Sequence, residues 1–154
     1  MIEVGKPAPD FSLQDQHGKN VTLSKLKGSP VVLYFYPKDD TPGCTKEACS
    51  FRDESAAFKK KGAVVLGVSP DDTESHAKFA KKFDLPFPLL ADDGNKTCVA
   101  YGVWKEKNMY GRKYMGVERT TFVIDAKGII RQVFAKVKVD GHSAEVLEAL
   151  DAHQ

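Results

Sequence analysis

The sequence is poor in features that would place it in several large functional classes. It has three cysteines in 154 residues, an odd number in a chain long enough to build its own core, so a framework of structural disulfides is a poor reading and the thiols read as buried or reactive. There is no long apolar run. The longest, Val31 to Tyr36, is closed by Pro30 and Pro37 and falls far short of the roughly 18 residues needed to span a bilayer, so no membrane partner is expected. Charge of one sign is lacking too: 23 Lys+Arg against 21 Asp+Glu leaves +2, too little for the field that holds nucleic acid or an acidic membrane. No Gly-rich phosphate loop or dinucleotide fingerprint occurs, and no cofactor is implied. The first ten residues carry Glu3, Pro7, Pro9 and Asp10 where a secretory leader needs an apolar stretch, which predicts a cytoplasmic protein. Without repeats, low-complexity tracts or a long linker, residues 1–154 read as one domain.

What is present is an ordered alternation of strands and helices. Phe11-Ser12-Leu13 and Val21-Thr22-Leu23 flank Gln16-His17-Gly18-Lys19 as a small N-terminal β-hairpin. Val31 to Tyr36 is β-branched and aromatic throughout, the pattern of a strand covered on both faces. Cys44, Ala48, Phe51, Ser55 and Phe58 recur at helical spacing, with Lys46, Glu47, Asp53 and Glu54 mostly off that stripe. The basic run Lys59-Lys60-Lys61 before Gly62 reads as the end of this one helix rather than as a binding patch. A strand over Ala63 to Val68 and a helix from about Asp72 to Phe83 complete a βαβ unit. A short helix within Gly94 to Tyr101, a polar loop from Trp104 to Gly116, a hairpin of Thr120–Asp125 with Ile129–Val137, and a helix from Ser143 to Ala152 follow. The expected architecture is α/β and thioredoxin-like, a central mixed sheet flanked by helices, with the N-terminal β-hairpin attached.

The loop after the first central strand lies where open α/β sheets place their ligands, at the carboxyl end of a strand. Cys44 falls in the first turn of the following helix, where unpaired N–H groups and the positive end of the dipole favour a thiolate, the nucleophilic form of cysteine. A buried structural cysteine is the plainer alternative. Pro37, Thr41 and Cys44 reproduce the Pro-x-x-x-Thr-x-x-Cys signature of peroxiredoxins, and Thr41-Pro42-Gly43-Cys44-Thr45 with Glu47-Ala48-Cys49 resembles the peroxiredoxin Q, or bacterioferritin comigratory protein, branch. The resemblance extends through Gly5 to Phe11, Gly67-Val68-Ser69 and Arg119-Thr120-Thr121-Phe122-Val123-Ile124-Asp125, nearly the whole chain.

That resemblance implies a thiol peroxidase for hydrogen peroxide and organic hydroperoxides. Cys44 attacks the peroxide, becomes a sulfenic acid and forms an intramolecular disulfide with Cys49, which thioredoxin or a similar thiol reductant reopens; the protein is expected to work as a monomer. It further implies that Arg119 is the fixed cation at the sulfur, that Thr41 hydrogen-bonds the peroxide, that Pro42 shields the thiolate, and that the Gly43 and Cys44 N–H groups stabilise developing charge. The residues by themselves leave Thr41 open as a helix N-cap, Pro42 as a helix-start proline and Arg119 as a surface cation. Cys98 departs from the short motif; burial is expected for it, with a resolving role as the alternative.

Two other readings share some of these features. A thioredoxin-type reductase needs Cys-x-x-Cys, whereas four residues separate Cys44 from Cys49. A non-enzymatic module built on structural zinc or redox-sensing thiols would use the three cysteines with a histidine, but His17, His76, His142 and His153 include no pair at ligand spacing. His76 reads as a satisfied or half-exposed helix residue. Cations and aromatics in Trp104 to Tyr114 point weakly to single-stranded nucleic acid, and Glu106 with the near-neutral charge sets that reading aside.

Overall fold

The structure, a computed structural model, describes residues 2–153. The hairpin near the N-terminus pairs β1 (Ser12–Gln14) with β2 (Asn20–Thr22), Leu13 lying opposite Val21. A one-turn 3-10 helix, Leu23–Leu26, leads to β3 (Val31–Phe35), in which every residue is buried. β3 pairs in parallel with β4 (Val64–Ser69), which pairs in parallel with β5 (Leu89–Ala91). On its other side β3 runs antiparallel to β8 (Thr120–Ile124), and β8 to β9 (Ile130–Phe134). The sheet order is β2-β1-β5-β4-β3-β8-β9, so the first central strand has a neighbour on each edge and is covered on both faces.

Side-chain alternation along β3 divides the core in two. Val32, Tyr34 and Tyr36 pack with Cys44, Ala48 and Phe51 of α1 (Pro42–Asp53), Phe58 of α2 (Ser55–Lys60), Phe79 of α3 (Thr73–Phe83) and Val146 and Leu150 of α5 (His142–Ala152). Val31, Leu33 and Phe35 face Phe11, Cys98 of α4 (Lys96–Ala100), Tyr101 and Phe122. Each large apolar side chain removed from water contributes about 1.5–3 kcal/mol, so the continuous apolar strand is the axis on which both layers depend.

The expected mixed sheet, N-terminal hairpin and βαβ unit are all present. Two expectations are corrected. The single helix from Cys44 to Lys61 is two, because Glu54 leaves helical geometry (φ −99°, ψ 10°) and restarts the chain as α2; the apolar spacing survives the break, which is why the pattern alone hides it. The polar loop from Trp104 to Gly116 is a hairpin, β6 (Trp104–Met109) with β7 (Arg112–Val117). Its turn places Tyr110 (φ 53°) and Gly111 (φ 80°) in the left-handed region, the geometry of a two-residue hairpin turn, and the Gly111 N–H donates to Asn108 Oδ1 at 3.0 Å. Most of its residues are exposed or half-buried, so the alternation that betrays a strand with one buried face is missing.

Candidate active site

The site forms where β3, α1 and the segment before β8 converge. Pro42 occupies the first helical position and Thr41 the N-cap, so Cys44 sits in the first turn as expected. Its side chain is nonetheless buried, 2% exposed, because the same turn of α1 lies on the Tyr34 face of the sheet. The antiparallel register sets Thr120 opposite Phe35, at the carboxyl end of β3, and Arg119 is one residue further out. That brings together side chains 75 positions apart: Arg119 Nη2 donates to Cys44 Sγ at 3.2 Å. A guanidinium at this distance stabilises an anionic sulfur and cannot release its own proton to it. Gly43 makes room for it, since a Cβ there would stand 3.2 Å from Arg119 Nη2.

The other guanidinium nitrogen was not foreseen from the sequence. Arg119 Nη1 donates to Glu47 Oε1 at 2.6 Å, and Glu47 is 1% exposed, not on the solvent side of its helix. Its position three after Cys44 puts it on the same helical face, and that spacing was the available signal. Burial pushes the Glu47 carboxyl up to about 7 in spite of Arg119, and its Oε2 has no hydrogen-bond partner. Glu47 therefore anchors the arginine while surrendering little of its positive charge below neutrality.

This carboxyl makes stability depend on pH in a definite direction. Folded Glu47 keeps its proton at pH values where the unfolded residue has lost it, so its contribution falls as pH rises from about 4.5 to about 7 and is level above. We expect Glu47→Gln, which keeps an acceptor for Arg119, to gain relative to the parent by on the order of 3 kcal/mol across that window. Urea unfolding of both proteins at a series of pH values measures this; a difference that does not change with pH would show that Glu47 is ionised throughout.

Of the remaining site residues, Thr41 donates its hydroxyl to the Lys38 carbonyl at 2.9 Å and makes no side-chain cap, so its position is that of an N-cap but its bond is not. Pro42 and Gly43 are exposed at the start of α1. Lys107, from the corrected hairpin, is close enough for burial and the Arg119 charge to push its ammonium down. Cys49 is half-buried on α1, in the same unbroken helix as Cys44. Cys98 is buried, and burial together with the Asp92 carboxylate pushes its thiol far up, which disfavours its thiolate. All three cysteines are free. His76 is fully buried rather than half-exposed, because α3 turns it onto Asp39 at 2.7 Å and the Leu90 carbonyl at 3.0 Å. Among the described residues the one group of metal-ligating side chains within mutual reach is Asp39, Asp71 and His76; it contains no cysteine, so it lends the zinc-module reading no support.

A family model described as AhpC/TSA matches residues 4–133. The chain is 56% identical to a putative peroxiredoxin Bcp of Coxiella burnetii, an alignment covering 97% of this chain and 99% of that one. It is 53% identical to peroxiredoxin Bcp of Bacillus subtilis, covering 97% and 95%. Among solved structures, the bacterioferritin comigratory protein of Xanthomonas campestris, described for its alkyl peroxide reduction activity, superposes with a TM-score of 0.92 at 42% identity, covering 98% of this chain and 99% of that one.

Proposed function

The chain belongs to the AhpC/TSA family, in its peroxiredoxin Q or bacterioferritin comigratory protein branch, and is a peroxidase; from that premise we propose that Cys44 is its peroxide-reducing residue and Cys49 the one that resolves it. The observation that carries the reading is the Arg119 Nη2 donor 3.2 Å from Cys44 Sγ at a helix N-terminus. The thiolate of Cys44 attacks the distal oxygen of a hydroperoxide, the O–O bond breaks, and the leaving alkoxide or hydroxide takes a proton to depart as alcohol or water. Cys44 is left as a sulfenic acid, oxidised by two electrons. Arg119, with the Gly43 and Cys44 N–H groups, stabilises negative charge as it moves from sulfur to oxygen. Thr41 turns its hydroxyl from the Lys38 carbonyl to the peroxide, and Pro42 keeps water from the sulfur. The substrates in this reading are hydrogen peroxide and organic hydroperoxides.

The Cys49 thiol then attacks the sulfenic sulfur, expelling water and forming a disulfide, which two electrons from thioredoxin or a similar dithiol reopen. Such recycling suits the reducing cytoplasm. We take the chain to act as a monomer, with residues 1–154 as one domain. Among the described residues no helix is long and apolar enough to cross a membrane.

The test is peroxide consumption with a thioredoxin system, paired with mass spectrometry of the oxidised linkages. Cys49→Ser should consume about one equivalent of peroxide and then stop, because the first step needs only Cys44. Full recycling in Cys49→Ser, lost on adding Cys98→Ser, would transfer the resolving role to Cys98.

Geometry adds a second expectation. Five residues along an intact helix place Cα atoms about 8–9 Å apart, and a disulfide tolerates about 7 Å at most. Forming the Cys44–Cys49 bond therefore unwinds α1 locally, which releases Phe51 from the core and breaks the 2.6 Å bond from Ser50 Oγ to Ser143 Oγ. Amide exchange across Cys44 to Phe51 should be faster in the disulfide form than in the reduced form. Equal exchange with the linkage proven by peptide mapping would contradict the unwinding.

A further inference from the structure

The loop that delivers Thr41 and Cys44 to the site is held from outside it. β3 ends at Phe35 and α1 begins at Pro42; between them Asp39 turns inward, buried, while its neighbour Asp40 stays exposed. Asp39 Oδ1 accepts the Tyr36 hydroxyl at 2.5 Å. Its Oδ2 accepts Ser75 Oγ at 2.7 Å and lies 2.7 Å from His76 Nδ1. The Asp39 N–H donates to Asp71 Oδ2 at 2.8 Å, and Ser69 Oγ donates to the same oxygen at 2.7 Å. At the surface Lys82 of α3 pairs with Asp40 at 2.8 Å. None of these bonds involves Cys44, Glu47 or Arg119.

The donors and acceptors define how the buried pair is bonded. His76 Nε2 is 3.0 Å from the Leu90 carbonyl, which can only accept, so Nε2 carries a hydrogen. Asp39 also accepts two hydroxyls, one on each oxygen. Nδ1 and Asp39 Oδ2 share one hydrogen across 2.7 Å, away from water. A buried polar pair adds little net stability over apolar side chains of the same shape; its hydrogen bonds fix one arrangement.

The arrangement it fixes is the turn from which the Thr41 hydroxyl reaches the peroxide. Asp40 lies in the left-handed region (φ 58°), which an L-residue leaves readily unless held, and the next residue is Thr41, whose hydroxyl is kept on the Lys38 carbonyl. We propose that Asp39 and His76 are positioning residues for peroxide reduction: the pair, locked by Tyr36, Ser75 and Asp71, holds the Lys38–Thr41 turn so that the Thr41 hydroxyl, on turning from the Lys38 carbonyl, meets the peroxide at the sulfur. This rests on the assignment of Cys44 and Thr41 given above. The sulfur's own reactivity, set by Arg119, is independent of the latch, whereas the peroxide's orientation is not.

That separation supplies the test. Single-turnover rates of Cys44 are measured with hydrogen peroxide and with iodoacetamide, which needs the thiolate but not an aligned peroxide, in the parent and in His76→Gln, Ser75→Ala, Thr41→Val and Thr41→Val/His76→Gln. His76→Gln should slow the peroxide reaction by at least about tenfold and leave alkylation within about twofold, since small misalignments of reacting groups cost large factors in rate. Ser75→Ala, which removes one donor and spares the pair, should act in the same direction by about two- to fivefold. In the Thr41→Val background His76→Gln should add nothing, because its effect passes through Thr41. Equal losses with both reagents, full additivity with Thr41→Val, or an unchanged peroxide rate each overturn the proposal. Should His76→Gln fail to fold, an unchanged peroxide rate in folded Ser75→Ala overturns it alone. Failure of the underlying assignment looks different: Cys44→Ser would keep turning over peroxide and Thr41→Val would match the parent.

Discussion

Replacing Cys44 with serine is expected to reduce peroxide turnover to background. The reaction needs a nucleophile that is anionic near neutrality, and a serine hydroxyl held by the same arginine is not ionised there. The other thiols offer no substitute. Cys98 is sealed in the second core layer, where burial and the Asp92 carboxylate push its thiol far up, and Cys49, though it feels the Arg52 charge, accepts no guanidinium hydrogen bond among the described residues. The variant should fold, because serine is isosteric and Cys44 is one small member of a cluster built on Tyr34, Phe51 and Phe79. Stopped-flow peroxide consumption with circular dichroism as the folding control makes the measurement; turnover near the parent rate in folded Cys44→Ser would remove Cys44 from the reaction.

The second large effect is expected at Arg119. Arg119→Met removes the cation and both donors at once, and loss of such a preorganised group costs on the order of a hundredfold or more in the peroxide step. Its fold consequence runs through Glu47, left without the 2.6 Å bond in a site 1% exposed. Stripping the partner from a buried ion costs about 3–5 kcal/mol, but a carboxyl that titrates near 7 escapes by keeping its proton. Rates should therefore be compared at about pH 6, where Glu47 is neutral and the fold is spared. Arg119→Lys, which restores charge without the fork, should fall between the two. Peroxide reactivity in Arg119→Met equal to the parent at that pH would leave Arg119 with the sole task of holding Glu47.

How much of this was legible before the structure differs from residue to residue. Val31 to Tyr36 announced a strand buried on both faces because continuous β-branched and aromatic side chains allow little else, and Cys44 announced a thiol at a helix N-terminus because Thr41 and Pro42 mark a helix start just before it. Local spacing and the matched motifs carried these. The β6–β7 hairpin escaped because both its faces are largely exposed, leaving no alternation to read, and the break at Glu54 escaped because the apolar spacing continues through it.

By itself the sequence determined the fold class, the branch of the family and the identity of the candidate nucleophile, since periodicity, capping and short motifs are local properties written in order along the chain. Only the tertiary structure decided that Glu47 is buried against Arg119 and that His76 grips Asp39. Those pairs are 72 and 37 residues apart, and whether a charged side chain faces water or a partner depends on which distant element covers its helix. The antiparallel register of β8 on β3 makes that choice for Arg119, and the packing of α3 beside β5 makes it for His76.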